Sequence, residues 1–178
     1  MAARRHERTA ARQAALQLLY SAEIAEKYPS EVIAEGAVLD EDGAFSDYAR
    51  SLIDGIEEHI DEIDDCIVDA SENWALDRMP IVDRSLLRLA VYEMLYVDAV
   101  PLSVSINEAV ELAKAFGGED ESPRFVNGVL GRIAEWIEAD RAEKGEAAPA
   151  AGEGASDEDA APAQGDGADL AADGGADA

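Results

Sequence analysis

Leu52-Ile-Asp-Gly-Ile-Glu-Glu-His-Ile-Asp-Glu-Ile-Asp-Asp-Cys-Ile67 is the stretch that decides the fold class. Leu52, Ile56, Ile60, Ile63 and Ile67 recur at intervals of four, four, three and four, the period of an α-helix. Glu57, Glu58, Asp61, Glu62, Asp64 and Asp65 occupy the opposite face. A half-buried strand would alternate with period two, and no run in the chain does so convincingly. The globular part is therefore expected to be all-α. The acids read as a solvated helix face, because the calcium-loop pattern with its central glycine is missing. The stripe fits either one long helix or two helices bent near His59.

The neighbouring segments follow the same period. Upstream, a first helix is expected from about Ala2 to Ala25, with Leu16, Leu19 and Ile24 on its buried side and Pro29 preventing continuation. A short helix from Ser30 to Glu35 follows. Gly36 and the Asp40 to Gly43 stretch read as a loop leading to Ser46, an N-cap. Downstream, Pro80 opens a helix that runs to about Val97. Val82, Leu86, Leu87, Leu89, Ala90, Val91, Met94 and Leu95 cover nearly its whole circumference, which marks it as the central helix. After Pro101, Ser103 or Ser105 caps a helix with Ile106, Ala109, Val110, Ala113 and Phe116 inward, ended by Gly117 and Gly118. Ser122 as N-cap and Pro123 at the first helical position open the last helix, with Val129, Ile133, Trp136 and Ile137 inward.

Composition bounds what this bundle does. The 178 residues hold 14 Lys+Arg against 40 Asp+Glu, a net charge of -26, so a uniformly basic nucleic-acid binder is excluded. The charge is uneven. Residues 1 to 12 carry Arg4, Arg5, Arg8 and Arg12 against Glu7, whereas residues 143 to 178 carry ten acids against Lys144. The segment from Gly145 to Ala178 is built mainly of Ala, Gly, Asp, Glu and Pro with Leu170 as its only large apolar residue, and is expected to be a disordered acidic tail on a domain of residues 1–144. No apolar run approaches the roughly 20 residues of a spanning helix. With no apolar signal core and only Cys66, a soluble cytoplasmic protein without disulfides is expected.

Catalytic chemistry finds no support. His6 and His59 are far apart, and Cys66 has no Cys or His at ligand spacing, so no metal and no other cofactor is expected. There is no phosphate-cradling glycine loop and no nucleophile elbow. The informative feature is the arginine set. At about 100° per residue Arg5, Arg8 and Arg12 share one side of the first helix, and that side continues into Leu16 and Leu19. A helix side that is basic for two turns and apolar afterward suggests a tip that projects past the core toward phosphates. The alternative is that these arginines pair with the protein's own acids.

Three segments resemble the NusB family of bacterial antitermination factors. They are Val82-Asp-Arg-Ser-Leu-Leu-Arg-Leu-Ala-Val-Tyr-Glu-Met94, Val100-Pro-Leu-Ser-Val-Ser-Ile-Asn-Glu-Ala-Val-Glu-Leu-Ala-Lys-Ala-Phe-Gly-Gly-Glu-Asp120 and Arg124-Phe-Val-Asn-Gly-Val-Leu130. Ala14-Ala-Leu-Gln-Leu-Leu-Tyr-Ser21 matches more weakly. The resemblance implies about seven helices in two small antiparallel bundles sharing a long central helix. It also implies binding of boxA, a single-stranded element of ribosomal RNA leader transcripts, jointly with NusE, a small-subunit ribosomal protein. The assembly joins elongating RNA polymerase, suppresses premature termination and supports rRNA maturation.

Carried over by position, the resemblance places RNA contacts at Arg4, Arg5, Arg8, Arg12, Tyr20, Asp120, Arg124, Phe125 and Asn127, and a NusE contact at Asp83. Single-stranded RNA is read by stacking unpaired bases on aromatics while cations hold the backbone, which fits these residue types. The chain also departs from the family. Its Gly118 to Arg124 loop is one residue longer, its body is strongly negative, and the acidic tail has no counterpart. NusB-like domains also precede rRNA cytosine methyltransferase domains, but that activity requires catalytic cysteines beyond Cys66, so no enzyme is expected. A homodimeric adaptor with weak RNA binding is the competing reading.

Overall fold

The computed structural model describes residues 2–36, 45–72, 74–117 and 121–145. Within them the chain forms seven α-helices and one 3₁₀ turn, with no strand. The helices are α1 (Ala2–Ala25), α2 (Pro29–Ala34), α3 (Asp47–Glu58), α4 (Ile60–Ala70), α5 (Ile81–Tyr96), α6 (Leu102–Phe116) and α7 (Glu121–Lys144); the 3₁₀ turn, Leu76–Arg78, precedes α5. The Asp40 to Gly43 loop, Asp120 and all of the acidic tail beyond Gly145 lie outside the described residues.

The core is organised around α5, which packs against α1, α3, α4, α6 and α7. Helices α1, α2 and α3 gather on one side and α4, α6 and α7 on the other, the two-bundle arrangement with a shared central helix. Leu86, Leu87, Leu89, Ala90, Val91 and Met94 of α5 are all buried, as a helix apolar nearly all round must be to keep those side chains from water. The Leu52 to Ile67 stripe is two helices: His59 closes α3 and precedes α4, with a non-helical φ of -113°. Leu52, Ile53, Ile56, Ile63 and Ile67 are fully buried across this break, so the bend keeps both halves on the core. Gly55 matters here, because the Tyr92 ring of α5 lies where a Cβ would stand, 2.0 Å from its Cζ.

Local signals were read correctly at some helix ends and not at others. Ser46 caps α3 by accepting a hydrogen bond from the Ala49 amide at 3.2 Å, and Gly117 follows the last residue of α6. Ser103 and Ser105 do not cap α6, which starts at Leu102 behind Pro101; Ser105 is buried and its hydroxyl donates to Glu93 at 3.0 Å. Ser122 is not the N-cap of α7, which already includes Glu121; it donates across to Asp83 of α5. In both cases a buried carboxylate on another helix outcompetes the local cap. Three residues expected inside are exposed: Ile24 by 59%, Trp136 by 42% and Phe116 by 40%. Ile24 lies on the side of α1 opposite Ala15, Leu18 and Ala22, Trp136 is at the edge of the buried face of α7, and Phe116 is the last residue of α6.

Candidate nucleic-acid interface

Helix α1 links two features. Its first turns bear the arginines, and its last turns reach a groove beside the start of α5. Arg12 and Arg8 fall on the core-facing side of the helix, so where the bundle begins they must be either buried with partners or held at its rim. Arg12 is buried: its Nε donates to both Glu93 oxygens at 2.9 and 3.0 Å, and its Nη1 reaches Glu108 at 3.3 Å. Glu93 also accepts from Ser105 and from the Tyr48 hydroxyl, and Thr9 donates to Glu108 at 2.7 Å. Burial alone pulls the Arg12 pKa down, but Glu93, Tyr48 and Glu108 more than offset it and the net shift is upward. Burial first, and then Glu93, raise the Tyr48 pKa well above the usual range, so Tyr48 remains a donor. Arg12, expected at the RNA surface, is buried and paired with Glu93 and Glu108. The reason is non-local, since its partners come from α5 and α6.

Arg8, one turn further out, is only half-buried, with its guanidinium carbon 5.0 Å from the centre of the Tyr48 ring. Arg4 and Arg5 belong to the first turns of α1.

At the other end, Tyr20, Trp74, Pro80, Ile81, Val82, Asp83, Gly117, Glu121, Ser122 and Phe125 line a groove of about 490 Å³. Tyr20 is 42% and Trp74 50% exposed, and the Trp74 and Phe125 rings meet at 5.7 Å with planes inclined by 52°. The fold therefore brings Tyr20, Phe125 and Asp83 together although they come from α1, α7 and α5. Asp83 is buried at the groove wall and held by the Ser122 hydroxyl. Arg124 and Asn127 are exposed on α7, three residues apart and hence on one side of it. Tyr20 stands 12 residues beyond Arg8, about 18 Å along the α1 axis, so the arginine tip and the groove are separate places on one helix rather than one pocket.

Trp74 was missed in the sequence. It sits in a short non-helical connection where periodicity carries no information, and its only signal was a Trp without an apolar partner at helical spacing. Beneath the groove Arg84 and Arg88 share Glu23 of α1 at 2.5 and 3.3 Å, and Arg88 is bidentate on Asp64 at 2.7 and 2.8 Å. Arg84 also donates to the Leu76 carbonyl at 2.6 Å. These bonds tie the 3₁₀ turn that follows Trp74 to the end of α1 that carries Tyr20. Among the described residues no group of three or more His, Cys, Asp or Glu converges to hold a metal, and no helix is long and apolar enough to cross a membrane.

The described residues thus form an all-helical bundle whose first helix carries arginines in its opening turns and whose other end bears an exposed aromatic groove. The sequence pattern of the NusB family matches residues 9–135. The transcription antitermination protein NusB of Salinispora arenicola (strain CNS-205) is 48% identical over 132 residues, covering 72% of this chain and 96% of that protein. The fold is similar to that of T. maritima NusB, with a TM-score of 0.64 and 38% identity over 72% of this chain and 90% of that one. It is also similar to a chain in the crystal structure of antitermination factors NusB and NusE in complex with dsRNA, with a TM-score of 0.60 and 29% identity over 74% of this chain and 98% of that one. The chain belongs to the NusB family of transcription antitermination proteins.

Proposed function

We propose that this chain is a cytoplasmic transcription antitermination factor that binds single-stranded boxA RNA of ribosomal RNA leader transcripts together with NusE. In this role it joins the RNA polymerase elongation complex, suppresses premature termination and supports rRNA maturation. The observation that carries this reading is the convergence of Tyr20, Trp74 and Phe125 on one exposed groove. Large aromatics left half in water at the edge of a well-filled core are platforms for unpaired bases. The family relative found with NusE and dsRNA supports RNA and NusE as the classes of ligand and partner; the choice of a single strand rests on the aromatic groove.

Bases enter the aromatic groove, whose walls carry Asp83 and Glu121 and so repel phosphates. The backbone runs outside it, held by Arg124 and Asn127 at one end and by Arg4, Arg5 and Arg8 at the other. The family resemblance assigns Asp120 to the same set of RNA contacts. Asp83, which the family resemblance assigns to NusE, is buried against Ser122 at the groove wall, so NusE meets the domain at that wall and engages Asp83 only by displacing the Ser122 hydroxyl. The negative body of the domain weakens long-range attraction of RNA, so NusE supplies part of the affinity.

Fluorescence anisotropy with labelled boxA RNA, a scrambled strand and a boxA duplex, at one stated salt concentration with and without NusE, tests the reading. Selective binding of single-stranded boxA that tightens with NusE is expected. Equal binding of all three RNAs in both conditions contradicts it, as does a stable homodimer that RNA does not disturb.

A further inference from the structure

Arg8 and Arg12 lie on the same side of α1, yet the structure treats them differently. Arg12 is buried and paired with Glu93 and Glu108. Arg8 rests on the face of the Tyr48 ring, and among the described residues it makes no ion pair, in a chain with 40 acids. No hydrogen bond from the Arg8 guanidinium to another described residue accompanies this contact, so its N–H groups remain open to an anion. The ring is itself fixed, because the Tyr48 hydroxyl donates to Glu93, the same buried carboxylate that binds Arg12 and Ser105. Tyr48 cannot swing away without breaking a buried hydrogen bond, and it lies 5.9 Å below the Arg12 guanidinium as well.

We infer that Tyr48 is a positioning residue for RNA binding: its ring holds Arg8 extended at the bundle rim with the guanidinium edge presented to an RNA phosphate. The inference rests on the RNA-binding reading above and adds a residue to it. An arginine with several rotatable bonds normally loses side-chain freedom when it captures a phosphate, and a ring platform removes much of that loss beforehand. The Arg12 and Glu93 pair then has a second consequence beyond stability, since it locks the platform.

The test is anisotropy of labelled single-stranded boxA RNA as a function of salt, with the full chain as wild type, Arg8→Gln, Tyr48→Phe, Tyr48→Leu and the Arg8→Gln/Tyr48→Leu double variant. Arg8→Gln should weaken binding and flatten the slope of log K against log salt by about 0.7. Tyr48→Phe keeps the ring face but loses the hydroxyl that fixes it and should fall between wild type and Tyr48→Leu, which loses about three- to fivefold. In the Arg8→Gln background Tyr48→Leu should cost nothing more. A Tyr48→Leu loss that persists in that background, or wild-type affinity of Tyr48→Leu while Arg8→Gln is weakened, overturns the positioning role. An Arg8→Gln protein with unchanged affinity and slope fails the RNA reading of the tip instead, and the inference falls with it. Should Tyr48→Leu not fold, the wild-type Arg8 side-chain N–H resonance decides. It should be shifted upfield by the ring current and stay so in the RNA complex, and a resonance at the position of solvent-exposed arginines overturns the proposal.

Discussion

Arg12→Met should destabilise the fold by about 3 kcal/mol. The Arg12 and Glu93 side chains are 4% and 1% exposed, so removing the cation leaves a carboxylate buried without its charge partner. Breaking such a pair costs about 3 to 5 kcal/mol, against about 0 to 1 for a surface pair. Glu93 would keep the hydroxyls of Tyr48 and Ser105, which places the cost at the lower end. Glu93→Leu strands the Arg12 guanidinium with Glu108 alone and should cost at least as much. The double variant strands neither charge, so its cost should fall about 2 kcal/mol or more short of the sum. Equilibrium urea unfolding of the four proteins, with m-values compared, measures this. Additivity within about 0.5 kcal/mol, or an Arg12→Met cost under about 1 kcal/mol, would refute the buried-pair reasoning. A second readout separates structure from binding: under conditions where Arg12→Met is folded, the salt slope of RNA binding should equal that of wild type, since Arg12 is 3% exposed and out of reach of a phosphate.

Phe125→Ala, Trp74→Ala and Tyr20→Ala should each weaken boxA binding by about 1 to 3 kcal/mol in anisotropy titrations, with Trp74→Ala the least disturbing to stability because its ring is half exposed. Gly55→Ala should lower stability by about 1 to 3 kcal/mol in urea unfolding, since the Tyr92 ring must move, and Tyr92→Leu should recover part of the loss. Burial, with help from the Glu62 carboxylate at 2.5 Å, pushes the Tyr96 pKa up to about 12 from 10.0. The folded pKa is the higher one, so this contribution to stability is complete below about pH 10 and is lost as pH rises toward 12. Tyr96→Phe should therefore show a smaller fall in urea midpoint across that interval than wild type.

Much of the architecture was legible because it is periodic. The Leu52 to Ile67 stripe and the nearly all-round apolar face of α5 each follow from one helix considered alone, and Ser46 and Gly117 act within one turn of the chain. What the sequence hid depends on partners from other helices. Arg12 shares a face with Leu16 and Leu19 and reads as part of a projecting basic tip; the alternative, pairing with the protein's own acids, holds for it, but nothing local says that the partners are Glu93 and Glu108. Ser105 and Ser122 have the side chain of a cap and are used instead to satisfy Glu93 and Asp83. Trp74 lies in a connection with no period to read. The groove was half visible: the family resemblance marked Tyr20, Phe125 and Asp83 separately, and only the packing of α1 and α7 against α5 brings them to one place with Trp74.

The chain has two tryptophans, which stand in different clefts: Trp74 in the aromatic groove, and Trp136 in a second cleft with Cys66, Asp98 and Asp140. They make one measurement decisive. Full-length protein labelled with 5-fluorotryptophan, its two resonances assigned with Trp136→Phe, is titrated with single-stranded boxA RNA and followed by ¹⁹F NMR. Base binding in the groove predicts that the Trp74 resonance shifts to saturation while that of Trp136 stays in place. A shift of Trp136 alone, or no shift of Trp74 when anisotropy shows the RNA bound, would contradict the account.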